Sequence, residues 1–275
     1  MLNKVALVTG ASRGIGKAIC VGLAKKGYNI VVVSKSITSE EHLPGTIYET
    51  ANEVEKHNVK ALPIKADLRH DMDINNVIQQ TKDHFGKVDV LVNNAGALWW
   101  KSIHETPSSK YDLVNQVNSR ASYVLSRSCI NLMTDGGHII MQSPPIPDLN
   151  NLKSSLKGKT AYMISKLGMT MTALGISEEY KGTGIACNTL WPMTPIESFA
   201  VKNYNLGSKK MWRTPDIMVD CVKYIVEEDS KYFTGHQLID EEYLRSKGYT
   251  NFIKYQCVAG YEPPKLNELY EKWKS

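Results

Sequence analysis

"KVALVTGASRGIGKAICVGLAKKG" (residues 4–27) decides how the rest of the chain is read. Its opening, "KVALVTG", is a short, continuous, β-branched apolar run, the pattern of a strand buried on both faces. From about Gly14 to Lys26 the period changes: Ile15, Ile19 and Leu23 fall on one stripe and Gly27 follows, as in an amphipathic helix with a glycine stop. Between the two lies "TGASRGIG" (9–16), with Gly10, Gly14 and Gly16 spaced GxxxGxG. Glycine lets the backbone turn sharply and approach a ligand closely. The helix N-terminus adds unpaired N–H groups and a partial positive charge. A lone glycine cluster reads equally well as an ordinary turn. Set between a strand and a helix, it predicts a pyrophosphate loop in which Gly10, Ser12, Arg13, Gly14, Ile15 and Gly16 meet the ligand.

The strand–helix unit recurs. Further strands are predicted at 29–35, 61–67, 88–96, 138–143, 185–191 and 236–240, and helices at about 46–57, 71–85, 108–133, 160–181 and 215–228. The last helix opens with Thr214 as N-cap and Pro215 in its first turn. Such alternation requires right-handed crossovers and a parallel sheet. The expected fold is one doubly wound α/β domain over residues 1–240, with a seven-stranded parallel sheet, helices on both faces and ligands at the carboxyl ends of the strands. Residues 241–275, rich in charge, Tyr and Pro, are expected to be an extension packed on the same domain or on a partner subunit.

Composition removes several classes. The 275 residues are 42% hydrophobic and 22% charged, and 33 basic against 28 acidic residues give a net charge of +5. That charge is spread without a basic run, so no nucleic-acid partner is expected; it suits an anionic small molecule. Five cysteines (Cys20, Cys129, Cys187, Cys221, Cys257) without a CxxC pair read as reduced thiols. The histidines show no HxxxH pairing, so no metal site is expected. No apolar run approaches the roughly 20 residues of a membrane span. The default location is intracellular and cytoplasmic, with a mitochondrial or peroxisomal address left open, although the terminal "EKWKS" is not an SKL-type signal.

The end of the second strand bears on the cofactor. An NAD(H) site commonly has a carboxylate there, bonding the ribose 2′-OH. This chain has "VVVSKS" (31–36), with Ser34 and Lys35, and Arg13 lies in the glycine loop. Two cations and no anion favour a 2′-phosphate, hence NADP(H) over NAD(H). The plainer reading of Lys35 is a solvated loop lysine.

"TGASRGIG", "NNAG" (93–96), a serine ending the fifth strand (Ser143) and "YMISK" (162–166) stand in an order that resembles the short-chain dehydrogenase/reductase family, over about residues 4–240. The resemblance implies a Rossmann fold and a catalytic set of Asn118, Ser143, Tyr162 and Lys166. It also implies cofactor contacts from Asp67 at the adenine, from Asn93, Ala95 and Gly96 at the adenosine ribose, and from Tyr162 and Lys166. In "WPMTPIES" (191–198) it implies contacts from Pro192, Ile196 at the carboxamide, and Thr194 or Ser198 near the phosphates; Met193 stands where the family has glycine. Segments 45–63, 143–145, 190–194 and 233–252 resemble a hydroxysteroid-dehydrogenase-like group whose members often carry a sterol-carrier-like domain after this point.

Tyr162 and Lys166, four apart, share one helix face. Carbonyl reduction needs a proton donor at the oxygen as hydride reaches the carbon. A phenol near pKa ~10 ionises reluctantly, and a neighbouring ammonium favours the phenolate. Ser143 would orient the substrate oxygen, and Asn118 matches the family asparagine that supports a proton path to the lysine. A bare Tyr-x-x-x-Lys pair is common on helix surfaces; the ordered motifs around this one favour the catalytic reading.

The loop between Ser143 and Tyr162 is longer than the family's. Pro144 and Pro145 end the strand, and 144–159 reads as a substrate-side insertion. Trp99, Trp100, Met193, Phe199 and Trp212 are expected to line an apolar cleft or else to pack loops. The expected function is hydride transfer between NADP(H) and a small lipophilic carbonyl or alcohol substrate, in a homodimer or homotetramer. The alternative is a cofactor-binding regulatory protein with little or no turnover.

Overall fold

The apolar run at the start of the chain becomes strand β1 (Val5–Thr9), buried along its whole length, and leads through the glycine loop into helix α1 (Gly14–Lys25). The computed structural model describes residues 4–41, 43–133 and 136–266. The chain continues through β2 (Asn29–Ser34), α2 (Ile47–Glu55), β3 (Ala61–Lys65), α3 (Asp71–Phe85) and β4 (Val90–Asn93). Helix α4 (Ser108–Val114) runs through a π-helical turn (Asn115–Arg120) into α5 (Ala121–Ile130), followed by β5 (Gly137–Met141), α6 (Leu149–Leu156) and α7 (Thr160–Glu179). Then come β6 (Ile185–Trp191), α8 (Phe199–Asn203), α9 (Asp216–Ile225), β7 (Gln237–Ile239) and α10 (Asp240–Ser246).

All strand pairs are parallel, in the order β3-β2-β1-β4-β5-β6-β7. This is the doubly wound, Rossmann-like sheet with helices on both faces. The direction of winding reverses between β1 and β4, which opens the ligand crevice of such sheets. Side chains alternate along β1: Ala6 and Val8 join the core with Ile19, Leu23, Ile217 and Val222, while Val5 and Leu7 join the opposite core with Leu125, Met169 and Ala173. Both faces are therefore dry, which is why the strands read as unbroken apolar runs.

Helix ends follow local chemistry. Thr46 and Glu49 form a capping box at α2. Gly27, just past α1, adopts φ +87°, a left-handed stop. At α9 the expectation is corrected: Pro215 is the N-cap, and the Thr214 hydroxyl reaches the Asp216 carboxylate instead of accepting a backbone N–H. The helix expected at 108–133 is interrupted by the π turn, and the short helices α8 and α10 lie in segments without a helical pattern.

Residues beyond β7 pack onto the sheet domain. Tyr243, Leu244, Phe252 and Tyr255 belong to the core on the α1–α9 face. Arg213, 1% exposed, pairs with Glu241 at 2.6 Å and Glu262 at 2.7 Å. The last part of the expected extension, 267–275, lies outside the described residues.

His138, in β5, is 3% exposed and its Nδ1 has no hydrogen-bond partner. Burial, reinforced by Lys4, pushes its pKa down to about 4. Between pH about 6.5 and 4 the unfolded chain then holds a proton that the folded chain refuses, so stability rises with pH through that window and is lost as pH falls. The effect is worth on the order of 3 kcal/mol at most. Chemical denaturation of His138→Leu is expected to show a flatter pH profile between 6.5 and 4 than the wild type.

Candidate active site

The glycine loop and the end of β4 are packed backbone to backbone. A Cβ on Gly10 (φ +63°) would lie 2.8 Å from Ala95 Cα, and one on Gly16 would lie 2.3 Å from the Gly10 carbonyl oxygen. The Thr9 hydroxyl accepts the N–H groups of Asn94 and Ala95 at 3.0 Å, and Asn94 Nδ2 donates to the Thr9 carbonyl at 2.9 Å. No side chain caps α1 and no acidic residue occupies its first turn, so its N–H groups face the crevice beside Gly14, Ile15 and Gly16. Ser12 is buried and accepts from the Ser34 hydroxyl. Arg13 donates to the Gly45 carbonyl at 3.0 Å, while its buried Nε has no partner. Lys35 is exposed just beyond β2 and outside the cleft wall.

Two of the expected cofactor residues, Asn93 and Asp67, have side-chain partners within the protein. Asn93 is 1% exposed and its Nδ2 donates to Ser126 Oγ at 3.0 Å, bracing β4 against α5. Within "NNAG" it is Asn94 and Gly96 that line the cleft. Asp67 holds Arg69 through Nη2 at 2.5 Å and Nε at 2.9 Å, and this pairing pulls its pKa down to about 2.

The catalytic candidates gather where β5, α7 and the π turn meet. Asn118, fully buried, accepts the Ala97 N–H at 2.7 Å, and its Nδ2 donates to the Ala97 carbonyl at 2.9 Å and to Ser165 Oγ at 2.8 Å. This fixes the chain after β4 against α7. A Cβ on Gly96 would come within 3.6 Å of Lys166 Nζ. Lys166 is 5% exposed and donates to the Gln142 carbonyl at 2.7 Å. Burial lowers its pKa to about 7. One turn earlier Tyr162 forms part of the cleft wall, edge-on to Trp100 at 6.1 Å between ring centres.

Ser143 is fully buried and stands behind that wall. Its Oγ lies 3.0 Å from Thr170 Oγ1, which is 2.6 Å from the Pro144 carbonyl. A carbonyl only accepts, so the single threonine hydrogen goes to Pro144 and Ser143 donates to Thr170. Gln142, next to it, takes the place in the wall.

The cleft has a volume of about 320 Å³. Of the aromatic and Met residues expected to line it, Trp100 and Phe199 do. Trp212 packs with Val201 and Leu206 and donates to the Leu206 carbonyl, and Trp99 donates to Thr106. Pro192 and Ile196 are in the wall, and Thr194 is buried with a partnerless Oγ1. Ser198 caps α8 and also lines the cleft. Met193 is tolerated in the glycine position because its φ is not left-handed. Its N–H donates to Asp240 Oδ1 at 2.8 Å and its carbonyl accepts the Leu266 N–H at 2.8 Å. That bond brings Leu266 into the wall, a contribution no sequence motif signals.

The 144–159 insertion folds into α6 and stays off the cleft: among the described residues none of it is in the wall. It acts one layer back, with Lys159 over the Trp100 ring at 5.5 Å.

Comparison with known proteins agrees with this geometry. Hydroxysteroid dehydrogenase-like protein 2 of Xenopus tropicalis is 42% identical over 257 residues, covering 92% of this chain and 60% of that protein; the chain thus spans about three fifths of that relative's length. A short chain dehydrogenase from Mycobacterium thermoresistibile superposes with a TM-score of 0.88 at 39% identity, covering 95% of this chain and 93% of the other. A blue fluorescent protein from a metagenomic library, solved in complex with NADPH, superposes with a TM-score of 0.72 at 26% identity, over 86% and 96% of the two chains. The family profile for short chain dehydrogenases matches residues 4–206. On that match the chain belongs to the short-chain dehydrogenase family of oxidoreductases.

Proposed function

We propose that the protein is an NADP(H)-dependent carbonyl reductase or alcohol dehydrogenase for a lipophilic substrate. The observation that carries the reading is the buried Lys166 ammonium, one helical turn from Tyr162, on the wall of an apolar cleft that opens beside the glycine loop. Residues present fit the cofactor: the Gly10–Gly16 contact leaves room only for backbone, α1 keeps its first-turn N–H groups uncapped, and Arg13 Nε and Thr194 Oγ1 are buried without partners. The glycine loop would hold the pyrophosphate, Arg13 with Lys35 the 2′-phosphate, and Pro192, Thr194 and Ile196 the nicotinamide side. Bound NADPH supplies the hydride.

The chain's own residues do the rest. Tyr162 gives its phenolic proton to the substrate oxygen. Lys166 favours the phenolate left behind, because a positive charge nearby stabilises it. Asn118 holds Ala97 and α7 in register around that lysine, and Ser143 secures the strand end to α7 through Thr170. The walls formed by Leu98, Trp100, Trp191, Phe199 and Leu266 exclude water and favour an apolar ketone, aldehyde or alcohol. Exposed Tyr123, Ile164 and Met171 on α5 and α7 mark the surface through which we place self-association. An intracellular location accords with the free thiols of all five cysteines, and among the described residues no helix is long and apolar enough to cross a membrane.

A second reading, a cofactor-binding regulatory protein with little turnover, draws on the Ser143 hydroxyl being turned to Thr170. The two part on one assay. Purified protein with NADPH is expected to reduce a member of a panel of fatty aldehydes, quinones, diketones and steroids, followed by loss of NADPH absorbance. Tyr162→Phe is expected to lower kcat by about 10²–10⁴-fold with NADPH still bound. Binding without turnover, unchanged in Tyr162→Phe, supports the regulatory reading. NADH is expected to show a higher KM than NADPH, and Arg13→Ala to narrow the gap; the reverse order would assign the site to NAD(H).

The Lys166 pKa gives a pH prediction. Reduction leaves negative charge on Tyr162, so it needs Lys166 charged. With a free-enzyme pKa of about 7, kcat/KM for reduction is expected to fall as pH rises through that value. Lys166→Met is expected to lose this inflection along with most of the rate.

A further inference from the structure

We propose that the side-chain amide of Gln142, and not the Ser143 hydroxyl, is the donor that holds the substrate oxygen beside Tyr162. The proposal rests on the carbonyl-reductase reading above. Gln142 follows β5 directly, and its backbone is fixed from two sides. Its N–H donates to the Asn93 carbonyl at 3.0 Å, and its carbonyl accepts the Lys166 ammonium at 2.7 Å. The residue is therefore anchored to the lysine that lies one turn from Tyr162. The residue is 5% exposed, its Nε2 is buried without a hydrogen-bond partner, and it forms part of the cleft wall. Buried amides are almost always paired within the protein. One left unpaired against a cleft wall is a preorganised donor for an oxygen that enters the cleft.

The same strand end explains why Ser143 is poorly placed for the task. Side chains alternate along an extended chain. Met141 points into the core of the α3–α5–α7 face. Gln142 lines the cleft and Ser143 is turned back to Thr170. Ser143 then secures the strand end to α7, through Thr170 and Pro144, and is a positioning residue. Gln142 transfers no proton. The hydride comes from NADPH, the proton from Tyr162, and the carbonyl π pair becomes the oxygen lone pair that accepts that proton. The amide only donates a hydrogen bond, which strengthens as negative charge grows on the oxygen.

The test uses the full chain with NADPH and the best carbonyl of the panel, and compares Gln142→Leu, Gln142→Met, Gln142→Asn and Ser143→Ala. Steady-state kinetics, NADPH affinity by fluorescence and the thermal midpoint are measured for each. Gln142→Leu is expected to lower kcat for reduction on the order of 10²-fold with NADPH affinity and thermal midpoint near wild type. Gln142→Asn is expected to recover part of the loss, and Ser143→Ala to lose less than Gln142→Leu. Gln142→Met repeats the test with an unbranched side chain should the leucine variant not fold. A wild-type kcat in a folded leucine or methionine variant overturns the proposal and leaves the reductase reading standing. So does a loss found entirely in NADPH affinity, which would assign the amide to the cofactor's carboxamide. A wild-type protein that binds NADPH and reduces no carbonyl overturns both.

Discussion

One buried side chain, Asn118, holds the candidate site together. Its amide satisfies both backbone groups of Ala97 and reaches Ser165, so it ties the chain after β4 to the helix that carries Tyr162 and Lys166. It can do so because the helix around it is widened into a π turn, a distortion common at functional positions. The same turn sets how closely α7 approaches: a Cβ on Gly168 would lie 2.3 Å from Ser119 Oγ. A buried amide in an apolar surround costs free energy unless every partner is present. The network is complete here, so the position of the lysine follows from that of the asparagine.

The segment after β6 is organised from another direction. It departs from its family at Met193, and the departure is absorbed by partners that come late in the chain. Asp240, fully buried at the end of β7, accepts the N–H groups of Met193 and Glu241. Arg213 lies under the same segment and is neutralised by Glu241 and Glu262. A guanidinium buried this deeply is tolerable only with its carboxylates in place. The residues after the last strand therefore supply the counter-charge for the loop they cover.

Much of this could be read from the sequence because it depends on local chemistry. The strands are apolar runs, the glycines sit where no Cβ fits, and Tyr162 and Lys166 share a face by helical spacing. What the sequence does not show has physical causes. A serine at a strand end gives no sign of which way it points, since a shift of one residue reverses the side; hence Gln142 and not Ser143 is in the wall. The two asparagines of "NNAG" look equivalent in sequence, yet Asn93 is drawn into the core by Ser126 while Asn94 faces the glycine loop. Asp67 has a nearer cation, Arg69, which no periodicity announces. The long loop after Ser143 acts through Trp100 instead of by direct contact, because α6 packs beside α7 and not over the cleft.

The backbone bond between Leu266 and Met193 has a wider meaning. It lets a stretch outside the sheet help shape the cleft wall, while Tyr162, Lys166 and the glycine loop are encoded elsewhere. The shape of the cleft and the residues of the family motifs are thus written in separable parts of the gene. A change in the later part alters the wall of the cleft without touching Tyr162, Lys166 or the glycine loop.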